Sequence, residues 1–304
     1  MEHSIPSLLQ DWTFLPGSTA ALLLIVLSYL WAWSRLNRRH APLATTGRLF
    51  CFLAGAGVLA VAFLSPLVAL QQELLIGRAA QQILIGLLAP PLIWLACPVH
   101  ILLRALPAPA RRWTVAIRKK TTLSGRFIRH VSHPFVLWLF AFSVFLLWHE
   151  PAITNRLLAH PSLYHISLWG VWITYMLFWW HPLGTGPRLR PSMPPIFGFL
   201  YIIIGGEVPN MVTGVTLAFR RTPAYDYYVD RFAVSGLTAL QDQMISGGMI
   251  WFLGSVVYVA VAVALLGRLF RNFEPPKPPP ITWDATERTI APGLEHRVLG
   301  QKLK

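Results

Sequence analysis

The sequence predicts an all-α, polytopic bundle of about seven membrane-spanning helices, with the amino terminus outside and the carboxy terminus in the cytoplasm. Three observations predict it. Only 12% of the 304 residues are charged while 55% are hydrophobic, against about 25% charged in an average soluble protein. Apolar runs of membrane-crossing length recur along the chain, a span needing about 20 such residues. The cations lie between those runs, in alternate loops. Thirteen Trp and seventeen Phe also suit aromatic belts at the two membrane surfaces.

The expected spans are 17–34, 49–70, 80–103, 134–149, 163–181, 195–218 and 241–267. Orientation follows from the loops. Arg35, Arg38, Arg39 and Arg48 separate the first two spans, and eight cations from Arg104 to Arg129 separate the third and fourth. Arg268, Arg271 and Lys277 follow the seventh. The opposite loops are balanced: Glu73 with Arg78, Glu150 with Arg156, and Arg220, Arg221 and Arg231 with Asp226 and Asp230. The positive-inside rule places the basic loops in the cytoplasm, so a net charge of +14 records topology and does not call for nucleic acid as a partner. The start, MEHSIPSLLQDW, lacks the positive n-region of a cleavable signal peptide.

Residues 1–270 read as the helical membrane domain and 271–304 as a Pro-rich spacer with a polar tail, the run PPKPPP at 275–280 being an extended polyproline segment. Segment 104–133 interleaves cations with Leu, Ile, Trp113 and Phe127, which suits either a helix on an anionic membrane surface or a solvated basic loop. Cys51 and Cys97 sit singly in apolar runs and read as ordinary buried thiols.

Polar groups inside spans are costly and mark function. Arg78, Gln81 and Gln82 share one face at the outer end of span three. Span four ends in Trp148-His149-Glu150 and span five begins Tyr164-His165. Span six holds Glu207, Asn210 and Met211, and span seven begins Gln241-Asp242-Gln243-Met244, with Met249 one heptad below Asp242. Five helices thus bring polar groups to the outer half of the bilayer, which predicts one polar cavity opening outward. Blander roles exist for each: interfacial histidines, Asp242 as the cap of span seven, Glu207 paired with Arg78 or a Gln, and Gly205, Gly206 and Pro209 for close packing or a kink.

Imidazole and thioether donors suit copper. A candidate metal site therefore comprises His149, His165 and Asp242, with Gln82, Glu207, Gln243, Met211 and Met249 around it. Two histidines on facing helices could equally hold a haem. Three functions stay open: an assembly factor, a haem-binding or quinone-linked redox protein, and a solute or ion transporter built on Glu207 and Asp242. No internal repeat supports a transporter architecture. A retinal protein is excluded because span seven has no Lys. No soluble catalytic domain, phosphate loop or Ser/His/Asp arrangement marks an enzyme.

FLSPL at 63–67, QQILIGLLAPPLIWLACP at 81–98, LLWHEP at 146–151, LYHISLWGVWITYMLFWW at 163–180 and ALQDQMISGGMIW at 239–251 together resemble the multi-spanning bacterial cytochrome c oxidase assembly factors of the CtaG type. The resemblance implies a non-catalytic role in maturing haem–copper oxidases, at the copper centre, in the bacterial plasma membrane. Oxidase subunits, the lipid bilayer and a periplasmic copper chaperone are the implied partners, and copper the implied, transient cofactor. His149, His165, Asp242, Gln243, Gly247 and Trp251 match positions that the family uses. One departure matters: the family's HxxxH at the start of the third span reads Arg78 and Gln82 here. Arg is always protonated and is no metal ligand. Its charge opposes a bound cation and favours pairing with Glu207 or Asp242.

Overall fold

A computed structural model describes residue 12, residues 14–117, 121–187, 193–229, residue 231 and residues 236–273. The run at 275–280 and the polar tail lie outside the described residues. Regular structure among the described residues is helical throughout. The long helices are α1 (Pro16–Asn37), α2 (Thr46–Leu64), α4 (Leu75–Leu95), α8 (Pro134–His149), α10 (Pro161–Leu183), α11 (Pro195–Phe219) and α12 (Ala239–Phe273). Shorter helices join them: α3 (Leu67–Glu73), α5 (Pro98–Ala105), α6 (Ala108–Ile117), α7 (Leu123–Val131) and α9 (Pro151–Leu158). Chain contacts divide the protein into units Met1–Leu269 and Phe270–Lys304, and the site described below lies wholly in the first.

Five described helices are long and apolar enough to cross a membrane: α1, α2, α4, α11 and α12. Helix α7 with α8, bent by 56°, adds a sixth if the pair is one broken span. Helix α10 has the length, at 23 residues, but its Tyr, His and Trp side chains lower its apolarity. The seven expected segments are all helices; length and composition alone license five or six as spans.

Two boundaries move. The second expected span, 49–70, stops at Leu64, because Ser65 precedes Pro66 and takes an extended conformation (φ −82°, ψ 172°). A residue before proline is pushed out of the helical region. The third, 80–103, runs instead from 75 to 95, and the chain turns at Cys97, which holds a left-handed φ of 52° ahead of Pro98. Cys51 and Cys97 are free thiols.

Helices α4 and α11 each contain one π-helical turn, Leu84–Leu88 and Ile203–Glu207. Each lies just ahead of a proline, Pro90 or Pro209. A proline inside a helix clashes with the carbonyl four residues back and leaves it unbonded, and a widened turn relieves both problems. The carbonyl freed by Pro90 belongs to Gly86, and it accepts the Trp179 indole N–H of α10 at 2.8 Å. The turn of α11 uses its glycine doublet for packing. A Cβ on Gly205 would strike the Trp138 ring of α8, and one on Gly206 the Tyr258 ring of α12. The doublet therefore serves close helix approach.

One apolar core joins α1, α2 and α4, with Tyr29 stacked on Phe52 at 3.7 Å between ring centres. A second gathers Trp94, Phe178, Trp179, Tyr201, Ile202 and Tyr258 from α4, α10, α11 and α12. Between α11 and α12 the backbones nearly touch, since a Cβ on Gly247 would lie 2.5 Å from the Ala218 nitrogen.

Candidate functional site

Arg78 sits in the first turn of α4 and is only 3% exposed. A buried guanidinium needs partners for its charge and its N–H groups. It donates to the carbonyl of Trp148 and to Thr154 Oγ1 at 3.2 Å. Its plane lies between two aromatic rings, 4.7 Å from Trp148 and 5.4 Å from Tyr225. Trp148 is in the last turn of α8, where unpaired carbonyls carry partial negative charge. The cation is thus met by a helix C-terminus, a hydroxyl and two π-faces.

Asp242, 2% exposed, solves the opposite problem in the mirror-image way. Its carboxylate accepts the backbone N–H groups of Leu75 at 2.6 Å and Ile76 at 2.9 Å, the free donors at the start of α4. An anion at a helix N-terminus is favoured by both hydrogen bonds and dipole. Asp242, a candidate metal ligand by sequence with capping of its own helix as the blander role, instead caps α4. Arg78 pairs with neither Asp242 nor Glu207. Among the described residues the ion pair is Arg231 with Glu73, at 3.0 Å.

The glutamines complete the lattice. Gln81 donates to the Ala62 carbonyl of α2 at 2.7 Å and accepts from the Tyr164 hydroxyl of α10 at 2.9 Å. Gln82 accepts the Trp148 indole N–H at 3.2 Å. Gln243 accepts from the Ala224 N–H at 2.6 Å and donates to the Leu217 carbonyl at 3.1 Å. The segment after α11 closes over these groups: Tyr225 donates to the His149 carbonyl at 3.2 Å and Tyr228 to the Gln71 carbonyl at 2.8 Å. Burial pushes the Tyr228 hydroxyl well above its ordinary pKa, against the opposing charge of Arg78, so it stays a donor. The outward-opening cavity expected from sequence is instead an interlocked, buried cluster.

His149 bonds through Nδ1 to the Phe145 carbonyl at 2.8 Å, which fixes the proton on Nδ1 and the lone pair on Nε2. That Nε2 is buried without a partner, and so is Nδ1 of His165. The remaining expected site residues go elsewhere. Glu207 accepts from Ser255 at 2.5 Å, and Ser255 lies thirteen residues beyond Asp242 on α12. At 1.5 Å per residue that separates the two carboxylates by about 20 Å along the helix. Met211 is 40% and Met244 48% exposed, on outward faces, and Met249 packs in the second apolar core.

Sequence reading missed Thr154, Tyr225, Tyr228 and the Leu75 and Ile76 amides. The aromatic run YDYY at 225–228, inside an otherwise charged loop, was the one available signal.

Among the described residues no group of three or more His, Cys, Asp or Glu gathers as metal ligands would. Asp242 spends both oxygens on α4, and a guanidinium occupies the centre. The donor set does not fit a resident three-ligand copper ion.

Fold and site define a protein of apolar helices whose polar residues, drawn from distant segments, lock together around a buried arginine. The chain belongs to the Caa3_CtaG family, the cytochrome c oxidase caa3 assembly factors, whose pattern matches residues 27–272. It is also similar to two uncharacterized mycobacterial proteins, from Mycobacterium bovis and Mycobacterium tuberculosis. Each is 24% identical over 279 residues, covering 88% of this chain and 41% of the relative. The chain thus spans about two fifths of the length of these curated relatives. No solved structure matches it.

Proposed function

We propose that this chain is an integral membrane factor of the bacterial plasma membrane that assists formation of the copper centre of a haem–copper oxidase. It crosses the bilayer seven times with its amino terminus outside. Its partners are oxidase subunits, with a periplasmic copper chaperone as the source of metal, and it turns over no small substrate. The observation that carries this reading is membership of the oxidase assembly family over most of the chain.

The site supports a division of labour. The cluster around Arg78 and Asp242 holds the ends of α4, α8 and α12 in fixed register and repels a resident cation. Two imidazole nitrogens, His149 Nε2 and His165 Nδ1, remain buried and unpartnered, and these are the donors left for a transient ion. A deletion strain, complemented with wild-type chain or with His149→Ala plus His165→Ala, tests the reading. The deletion should yield oxidase with normal haem spectra and depleted copper. Wild type should restore the copper, and the double variant should not, at equal abundance of the chain. Oxidase with full copper and haem in the deletion strain would end the proposal.

A further inference from the structure

At the end of the molecule away from Arg78, the amino-terminal parts of α8 and α11 flank a groove of about 580 Å³. That volume is in the range of small-molecule sites, about 300–1,000 Å³. Its walls are Phe135 and Trp138 of α8 and Phe197, Tyr201 and Ile204 of α11, with His133 at the rim. Phe135, Phe197 and Ile204 are more than half exposed, so the groove opens sideways, toward lipid in a membrane-embedded chain. The lining is apolar apart from His133 and Tyr201. Tyr201 is 7% exposed and its hydroxyl has no hydrogen-bond partner. A buried hydroxyl left unbonded is destabilising, and a ligand acceptor that reaches it removes that cost.

Cations stand beside the rim. Helix α7 leads directly into His133, and it carries Arg126, Arg129 and His130. Its Leu123, Phe127 and Val131 are exposed at a spacing of four, an apolar stripe suited to the membrane surface. Apolar trough, buried donor and basic rim together match one class of molecule: an acyl chain that ends in an anionic headgroup.

The geometry points to a binding site for an anionic phospholipid, with an acyl chain between α8 and α11 and the headgroup phosphate at the basic α7–α8 corner. This rests on the membrane-embedded reading and is independent of the copper role. Cations near an anionic lipid surface each contribute about 1 kcal/mol, so Arg126 and Arg129 together favour an anionic over a zwitterionic lipid about 30-fold.

Native mass spectrometry of the full chain in mild detergent tests it, with phosphatidylglycerol and phosphatidylcholine of identical acyl chains as probes. Wild type should retain phosphatidylglycerol preferentially. Arg126→Gln with Arg129→Gln should bring the two lipids level, and Ile204→Trp, which fills the trough from an exposed position, should lose both. Leu200→Trp on the same wall serves if Ile204→Trp melts early. Equal retention of the two lipids by wild type would overturn the assignment. So would wild-type retention by both trough-filling variants, or a neutral isoprenoid or a second helix found in the groove. Extraction of the chain from membranes by alkaline carbonate would reject the membrane reading itself, a separate failure.

Discussion

The two ends of this bundle treat polar chemistry in opposite ways. Around Arg78, the cluster's helices are tied together by hydrogen bonds between segments, with Arg78 Nε, Gln71 Oε1, His149 Nε2 and His165 Nδ1 left over, and the charges of Arg78 and Asp242 are met by helix termini and not by each other. Around Tyr201, an apolar trough stands open with one hydroxyl unbonded. A buried lattice whose bonds run mainly between helices is a device for holding helices in place. An open trough with a bond to offer is a device for holding something else. Density of polar residues along apolar helices is therefore not by itself the mark of a ligand site.

The comparison breaks most severely if Arg78 proves dispensable. Arg78→Ala empties the space between Trp148 and Tyr225 and leaves the Trp148 carbonyl with the Thr154 hydroxyl as its remaining side-chain donor. The expected loss is about 3–5 kcal/mol, by the sum of a cavity and unmade hydrogen bonds, seen as a large fall in melting temperature of the detergent-solubilised chain. Unchanged melting would mean that the cluster does not hold the helices.

Asp242→Asn is milder. One amide oxygen can still accept from α4, but an NH2 group then faces a backbone donor and the anionic charge at the helix start is gone. About 1–3 kcal/mol should be lost, with faster hydrogen exchange at Leu75 and Ile76. Protection of those two amides at wild-type levels would show that the cap is not needed.

Smallest of all should be Met211→Ala with Met244→Ala. Both side chains lie on outward faces, so stability should stay within about 0.5 kcal/mol and oxidase copper should be unaltered. Depleted copper in that variant would return the methionines to the site.

How far the site was legible can be argued from single residues. Arg78, Gln81 and Gln82 stand on one face of one helix, so their joint burial follows from helical spacing. Asp242 was legible as a helix cap because Asp favours N-termini, yet the helix that it caps begins 167 residues earlier. Glu207 looked like a site residue because it enters an apolar span. What the sequence does not state is axial level, and thirteen residues along α12 put it out of reach. The outward aim of Met211 and Met244 was likewise hidden, since a span's lipid-facing and bundle-facing sides are both apolar.

The chain's own order of residues determined that it is helical, where its long apolar segments lie, and where prolines cut or widen them. These are local matters of hydrophobic length, backbone donors and steric clash. Only the tertiary structure decided which charge meets which helix end, because a carboxylate or guanidinium takes whatever compensating dipole packing brings within 3 Å or so. For Asp242 that was the start of α4, and for Arg78 the end of α8.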